Sequence, residues 1–255
     1  MRIRVGVFAA VFMLLASLPG FGQPAELVIG TEGAYPPFNF IDESGKLKGF
    51  DVDIAQALCE KMQVKCRIVA QDWEGLIPAL LSKKIDAIVA SMSITEERKK
   101  VVAFTDKYYH APARFVALTT SDITDISPKG LAGKVLGAQS STIHANYLEK
   151  NYKDSTIRLY GSHDTALLDL VAGRVDAVFV QSIAVYNWLN SPEGKCCKFV
   201  GEPLSDPAHF GLGAGIAVRK EDEALRQKLN EALDEILADG TYQKINAKYF
   251  PFSIY

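Results

Sequence analysis

Leu80 to Val89 reads LLSKKIDAIV, and Leu170 to Phe179 reads LVAGRVDAVF. Each is a helix end, a short turn of small or basic residues, a β-branched residue, Asp-Ala and an apolar strand. A second echo precedes each copy: LVIGT at Leu27 to Thr31 and KVLGA at Lys134 to Ala138. One strand-and-helix pattern written twice predicts two similar α/β lobes. Around the first copy, Phe50 to Lys61 has helical spacing at Phe50, Ile54 and Leu58. Cys66 to Ala70 reads as a strand, Leu76 to Ser82 as a helix and Ile85 to Ala90 as a buried strand. A helical pattern from Asp222 to Ala238 and an aromatic tail ending at Tyr255 close the chain. Such alternation predicts βαβ units on a largely parallel sheet, where ligands gather beyond the carboxyl ends of the strands.

That rule selects Glu32 to Tyr35, Trp73, Ser91 to Arg98, Gln139 to Thr142 and Gln181. Within SMSITEERKK (Ser91 to Lys100), Ser93-Ile94-Thr95-Glu96 fits a capping box that opens a helix. A helix start also presents unpaired N–H groups and positive dipole, which suit an anion. Arg98 falls in the first turn, where a basic residue opposes the dipole, and its planar fork matches a carboxylate. After the first strand, Gly33 and the Pro36-Pro37 pair make a rigid loop around Glu32 and Tyr35. A carboxylate with two aromatics, Tyr35 and Trp73, suits an extended cation. Capping, packing and solvation account for each of these residues singly; their joint placement at strand ends points to a zwitterion with a cationic tail.

Other motifs fail on context. Gly211-Leu212-Gly213-Ala214-Gly215 runs into the strand Ile216-Ala217-Val218 and not into a helix, so no dinucleotide cofactor is expected. Ser162-His163-Asp164 sits at a helix start, where capping explains it. No GxSxG, HExxH or GxxxxGK[ST] occurs.

At the N-terminus, Arg2 and Arg4 precede an uncharged apolar run from Val5 to Leu18, with small residues at Gly20 and Gly22. This is the pattern of a secretory signal peptide, residues 1–22, cut before Gln23. Its removal takes the formal charge from −2 to −4, and no long basic run remains, which excludes nucleic acid and anionic membrane as partners. In an exported chain Cys59 and Cys66, seven residues apart, are expected to form a disulfide between a helix end and a strand start. Cys196 and Cys197 are adjacent, which allows a vicinal bridge or two free thiols. None of His110, His144, His163 or His209 is spaced to complete a metal site with these pairs, so no metal is expected.

With IGTEGAYPPFNF, GFDVDIAQALCEKMQVKC, LIPALLSKKIDAIVASMSITEERKK, LAGKVLGAQSST, DLVAGRVDA and ADGTYQKINAKYF, the sequence resembles the periplasmic polar amino-acid binding proteins of ABC importers. The lysine/arginine/ornithine and histidine binders are the most similar. The resemblance implies the two-lobed periplasmic binding protein fold. Each lobe is a Rossmann-like α/β sandwich, with residues 23–110 and 206–255 forming lobe I, residues 111–205 lobe II, and a two-strand hinge between them. It further implies a monomeric, non-enzymatic protein that serves a membrane permease. Arg98 would bind the ligand α-carboxylate with Ser91, Ser93 and Thr142, and Glu32 would meet the cationic end between Tyr35 and Trp73. Two positions depart from the pattern. Gln181 stands where these binders commonly place an Asp against the α-ammonium, and Ala90 replaces a frequent serine. An opine with a substituted amine is therefore the alternative ligand, while a dehydratase on the same scaffold and a sensor module are the alternative roles.

Overall fold

In the computed structural model, residues 26–255 are described; the expected signal peptide, residues 1–22, lies outside them. The first half contains β1 (Leu27–Thr31), β2 (Ala34–Tyr35), β3 (Asn39–Ile41), β4 (Leu47–Lys48), α1 (Phe50–Met62), β5 (Cys66–Ala70), α2 (Leu76–Leu81), β6 (Ala87–Ile88), α3 (Glu96–Lys99), β7 (Ala103–Tyr109) and β8 (Ala113–Leu118). The second contains β9 (Val135–Gln139), α4 (Ile143–Asn151), β10 (Thr156–Tyr160), α5 (His163–Val171), β11 (Ala177–Gln181), α6 (Ser182–Leu189), β12 (Cys197–Leu204), α7 (Pro207–Phe210), β13 (Ala214–Val218), α8 (Glu223–Ala238) and α9 (Thr241–Tyr249).

Two five-stranded sheets result, in the orders β5-β1-β6-β13-β7 and β10-β9-β11-β8-β12. In the first, β1 pairs in parallel with β5 and β6; in the second, β9 does the same with β10 and β11. An antiparallel strand then joins each, β13 on β6 and β8 on β11. The two lobes therefore share one topology, as the repeated sequence predicts. The repeat is equivalent down to its aspartates. Asp86 accepts from Val28 N–H at 3.0 Å and Asp176 from Val135 N–H at 2.7 Å, each tying its strand to the start of the neighbouring one. The preceding turns are equivalent too: Lys83 and Gly173 both take left-handed backbone, at φ 60° and 68°.

The chain crosses between the sheets after β7 and again before β13. One core packs Phe50, Ile54 and Leu58 of α1 with Tyr108, Tyr109, Leu233 and Tyr242, all buried. Another, on the second sheet, gathers Phe115, Leu136, Leu148 and Phe179, and Phe210 of α7 is seated in it. Helix α1 starts where Gly49, at φ 122°, brings its Cα so close to Phe38 that a Cβ would lie 2.3 Å from that carbonyl oxygen. Only glycine fits there, and the contact aims Asp51 N–H at Phe38 O, 2.7 Å away. Of the strand expected over Ile85 to Ala90, Ala87–Ile88 is regular strand, flanked by bonds from Asp86 N–H to Val28 O at 2.7 Å and from Val89 N–H to Gly30 O at 3.0 Å, and Ser91 beyond it takes left-handed backbone at φ 55°.

Cys59, near the end of α1, is bonded to Cys66, which opens β5, with Cα atoms 6.1 Å apart. A loop this short contributes roughly 2–3 kcal/mol in the chain-entropy picture. Cys196 and Cys197 are free thiols with sulfurs 3.3 Å apart. Burial, and then the neighbouring Cys196 sulfur, push the Cys197 thiol up to about 12. Alkylation with iodoacetamide at pH 8 should therefore label Cys196 at least about tenfold faster than Cys197, read by fragment-ion mass spectrometry. Equal rates would contradict the buried setting of Cys197.

Candidate ligand-binding site

Between the two sheets lies a cavity of about 540 Å³, counted with its open mouth. All eight residues expected to contact a ligand line it: Glu32, Tyr35, Trp73, Ser91, Ser93 and Arg98 from one side, Thr142 and Gln181 from the other. Strand ends bring them together, since β1 delivers Glu32, β9 leads to Thr142 and β11 ends on Gln181.

The anion side differs in detail from the sequence reading. The cap of α3 is Thr95, whose hydroxyl accepts from Arg98 N–H at 3.2 Å, and the expected capping box starting at Ser93 does not form. Ser93 is still extended, bridged to Ala214, and Ile94 N–H donates to Gly213 O at 2.8 Å, so the helix cannot begin before Thr95. Freed from capping, the Ser93 carbonyl accepts from Arg98 Nη1 at 3.0 Å and aims the guanidinium. The Arg98 guanidinium lies over the Trp73 ring, 5.2 Å from its centroid, and is in no ion pair among the described residues. Withdrawal from water lowers its pKa to about 10, so it remains charged. Opposite it, the Thr142 hydroxyl donates to Gln139 O at 2.7 Å and accepts from Ala145 N–H at 3.1 Å. Thr142 thus offers the cavity the backbone start of α4, where the first N–H groups lack intrahelical partners, and not its hydroxyl.

The cation side centres on Glu32, 8% exposed. Burial pushes its carboxyl up to about 7, against the hydrogen bond from Gln139. Keeping it ionised there costs on the order of 3 kcal/mol. Gln139 Nε2 donates to Glu32 Oε1 at 2.5 Å, bridging the two lobes. The Tyr35 phenol is held neutral by burial, its ring edge-on to His163 at 5.0 Å. Trp73 also reaches across the lobes, donating from Nε1 to Ser141 O at 3.1 Å. Beside it, Glu74 accepts from Ser140 Oγ at 2.6 Å and Ser141 Oγ at 3.1 Å.

His144 and His163 escaped the sequence reading, and the cross-lobe role of Gln139 did too. Gln139 fell inside a strand-end range but its reach to Glu32 crosses between lobes. His144 and His163 line the cavity as well; burial lowers the pKa of both, that of His144 to about 3, so both rings are neutral. Ser162 does cap α5, accepting from Thr165 N–H at 3.3 Å, yet the His163 that follows is turned inward and buried. Its spacing gave no sign of this, since capping alone explained the stretch.

Taken together, the site has a fixed guanidinium and a helix start on one side, and a buried carboxylate with aromatic neighbours on the other. It can hold a small molecule with an anionic end and a cationic end. Residues 27–252 match the bacterial extracellular solute-binding proteins, family 3. The L-arginine-binding protein of Pseudomonas aeruginosa is 44% identical over 99% of this chain and 98% of its own length. The histidine-binding periplasmic protein of Escherichia coli K12 is 41% identical over 91% of this chain and 90% of its own. Among solved structures, an ancestral arginine-binding protein bound to arginine superposes with a TM-score of 0.82 at 39% identity, over 90% of this chain and all of its own. With the two-lobed α/β architecture, a cavity lined by strand-end residues and this span of similarity, the chain belongs to the bacterial extracellular solute-binding proteins, family 3.

Proposed function

We propose that this protein collects a cationic L-amino acid, arginine ahead of ornithine, lysine and histidine, in the periplasm and delivers it to the permease of an ABC importer. One observation carries the reading: Arg98 and Glu32, charges of opposite sign, face one cavity, and neither has an ion-pair partner among the described residues. Each is costly to bury alone, and an amino acid with a cationic side chain satisfies both at once. A guanidinium fits the Glu32 end better than an ammonium, because its plane can lie against an aromatic ring while its fork meets the carboxylate. Names of the arginine- and histidine-binding relatives support the ligand class. The N-terminal signal pattern supports export.

The ligand would bridge lobe I, residues 23–110 and 206–255, and lobe II, residues 111–205, with the two interlobe crossings as hinge. Helix α7 is then an arm of the returning chain that reaches into the second core through Phe210. A catalytic role is disfavoured, because a dehydratase needs an acid or base free to reach its substrate. Both cavity histidines are held neutral and so cannot serve as the acid, and Glu32 is accounted for by a cation.

Calorimetry with arginine, ornithine, lysine, histidine, an opine and glutamine tests the reading. Arginine is expected to bind at least about tenfold tighter than glutamine. Tight binding of the opine alone would move the ligand class, and no binding by any of the six would overturn it.

A further inference from the structure

Asp51 is fully buried at the start of α1, in direct contact with a residue of the cavity wall. Its Oδ2 accepts from Ser91 Oγ at 2.9 Å and Asn39 Nδ2 at 2.7 Å, and its Oδ1 accepts from Tyr108 Oη at 2.7 Å. All three donors are neutral, and Asp51 takes part in no ion pair among the described residues. A buried carboxylate without a cation is held at a cost of several kcal/mol. Its charge is felt at Glu32 and Tyr35, which line the cavity, and at Tyr109, which donates to Gln181.

Ser91 is built to transmit that charge. Its left-handed backbone is held by N–H donation to Tyr108 Oη at 2.9 Å, which fixes the hydroxyl between Asp51 and the cavity. Because the hydroxyl proton is committed to Asp51, Ser91 Oγ can meet a further group only as an acceptor, strengthened by the bond behind it. Ser91 is therefore unsuited to a carboxylate and suited to an ammonium. Gln181 stands at the same end, its Oε1 accepting from Tyr109 Oη at 3.1 Å. That amide brings no charge to an ammonium.

We propose that the anionic partner of the ligand α-ammonium is Asp51, acting through the hydroxyl of Ser91, and that this carboxylate in the first lobe is what permits glutamine at position 181. The inference rests on the amino-acid-binding reading and names the group that recognises the amine. Asp51 is a positioning residue: it touches Ser91, and Ser91 touches the ligand.

The test is a mutant cycle read by calorimetry at pH 8, with L-arginine and with 5-guanidinopentanoate, which is arginine without its amine, the latter by competition. Asp51→Asn is expected to weaken arginine about tenfold and the amine-free compound less than about threefold. In a Gln181→Asp background, Asp51→Asn should cost arginine less than about threefold, because the second lobe then supplies the charge. Equal losses for both compounds, or an equal arginine loss in both backgrounds, would show a merely structural role and overturn the proposal. An unchanged arginine affinity would also overturn it. If Asp51→Asn does not fold by circular dichroism, Ser91→Ala removes the relay alone and must show the same arginine-selective loss. A wild-type protein that binds neither compound refutes the parent reading, and this inference with it, whereas wild-type binding with a flat cycle refutes this inference only.

Discussion

Arg98→Ala is expected to weaken arginine binding by roughly a thousandfold, about 4 kcal/mol, in calorimetry at neutral pH. The size follows from the setting. The guanidinium is already aimed by Ser93 O and braced on Trp73, so little ordering remains when a carboxylate arrives. Loss of the fork would leave the ligand carboxylate to Ser93 and the start of α4. The same substitution should leave the melting temperature of the ligand-free protein unchanged or raised, since desolvation already works against the charged guanidinium. Loss of affinity together with stability would mean that Arg98 supports the fold and does not chiefly hold the ligand.

Glu32→Gln should weaken arginine by about a hundredfold while changing glutamine binding less than about threefold, because only the cationic tail needs the carboxylate. The pH dependence follows from its raised pKa. With the carboxyl at about 7, the protein without a bound cation takes up a proton on acidification, and a cationic ligand must expel it. Arginine affinity is therefore full only above about pH 8 and should fall about tenfold between pH 8 and pH 6, with proton release detectable in buffers of different ionisation enthalpy. Below pH 6 Asp51, its carboxyl raised to about 6 by burial, adds to the loss. Glu32→Gln should abolish most of the slope between pH 8 and pH 6. A slope that persists in this variant would place the titrating group elsewhere.

The lobes were legible in the sequence because the repeat is linear. The β-branched residue before each aspartate differs between copies, Ile85 in one and Val175 in the other, yet Asp86 and Asp176 recur and make the same bond to the neighbouring strand. Glu32, Trp73, Arg98 and Gln181 could be selected because strand ends are recognisable from periodicity. Details that depend on distant partners were not legible. Thr95 and not Ser93 caps α3, because Ser93 is bridged to Ala214, more than a hundred residues away. Asp51 falls in the first turn of α1, where the dipole favours an acid, and only its neighbours Asn39, Ser91 and Tyr108 reveal a buried carboxylate. Gln139 acquires its bond to Glu32 only when the two lobes meet.

The contacts of Glu74 with Ser140 and Ser141, and of Trp73 Nε1 with Ser141 O, separate two properties that a binding protein must set independently. The bonds of Glu74 join the lobes outside the cavity lining and name no chemistry of the cargo, so they are expected to lengthen the residence time of whatever is enclosed by a common factor. Selectivity is then written in the interior, at Glu32 and Arg98, while the tempo of release is written at the edge. Changes at Glu74 would retune how long cargo stays without altering which cargo is chosen.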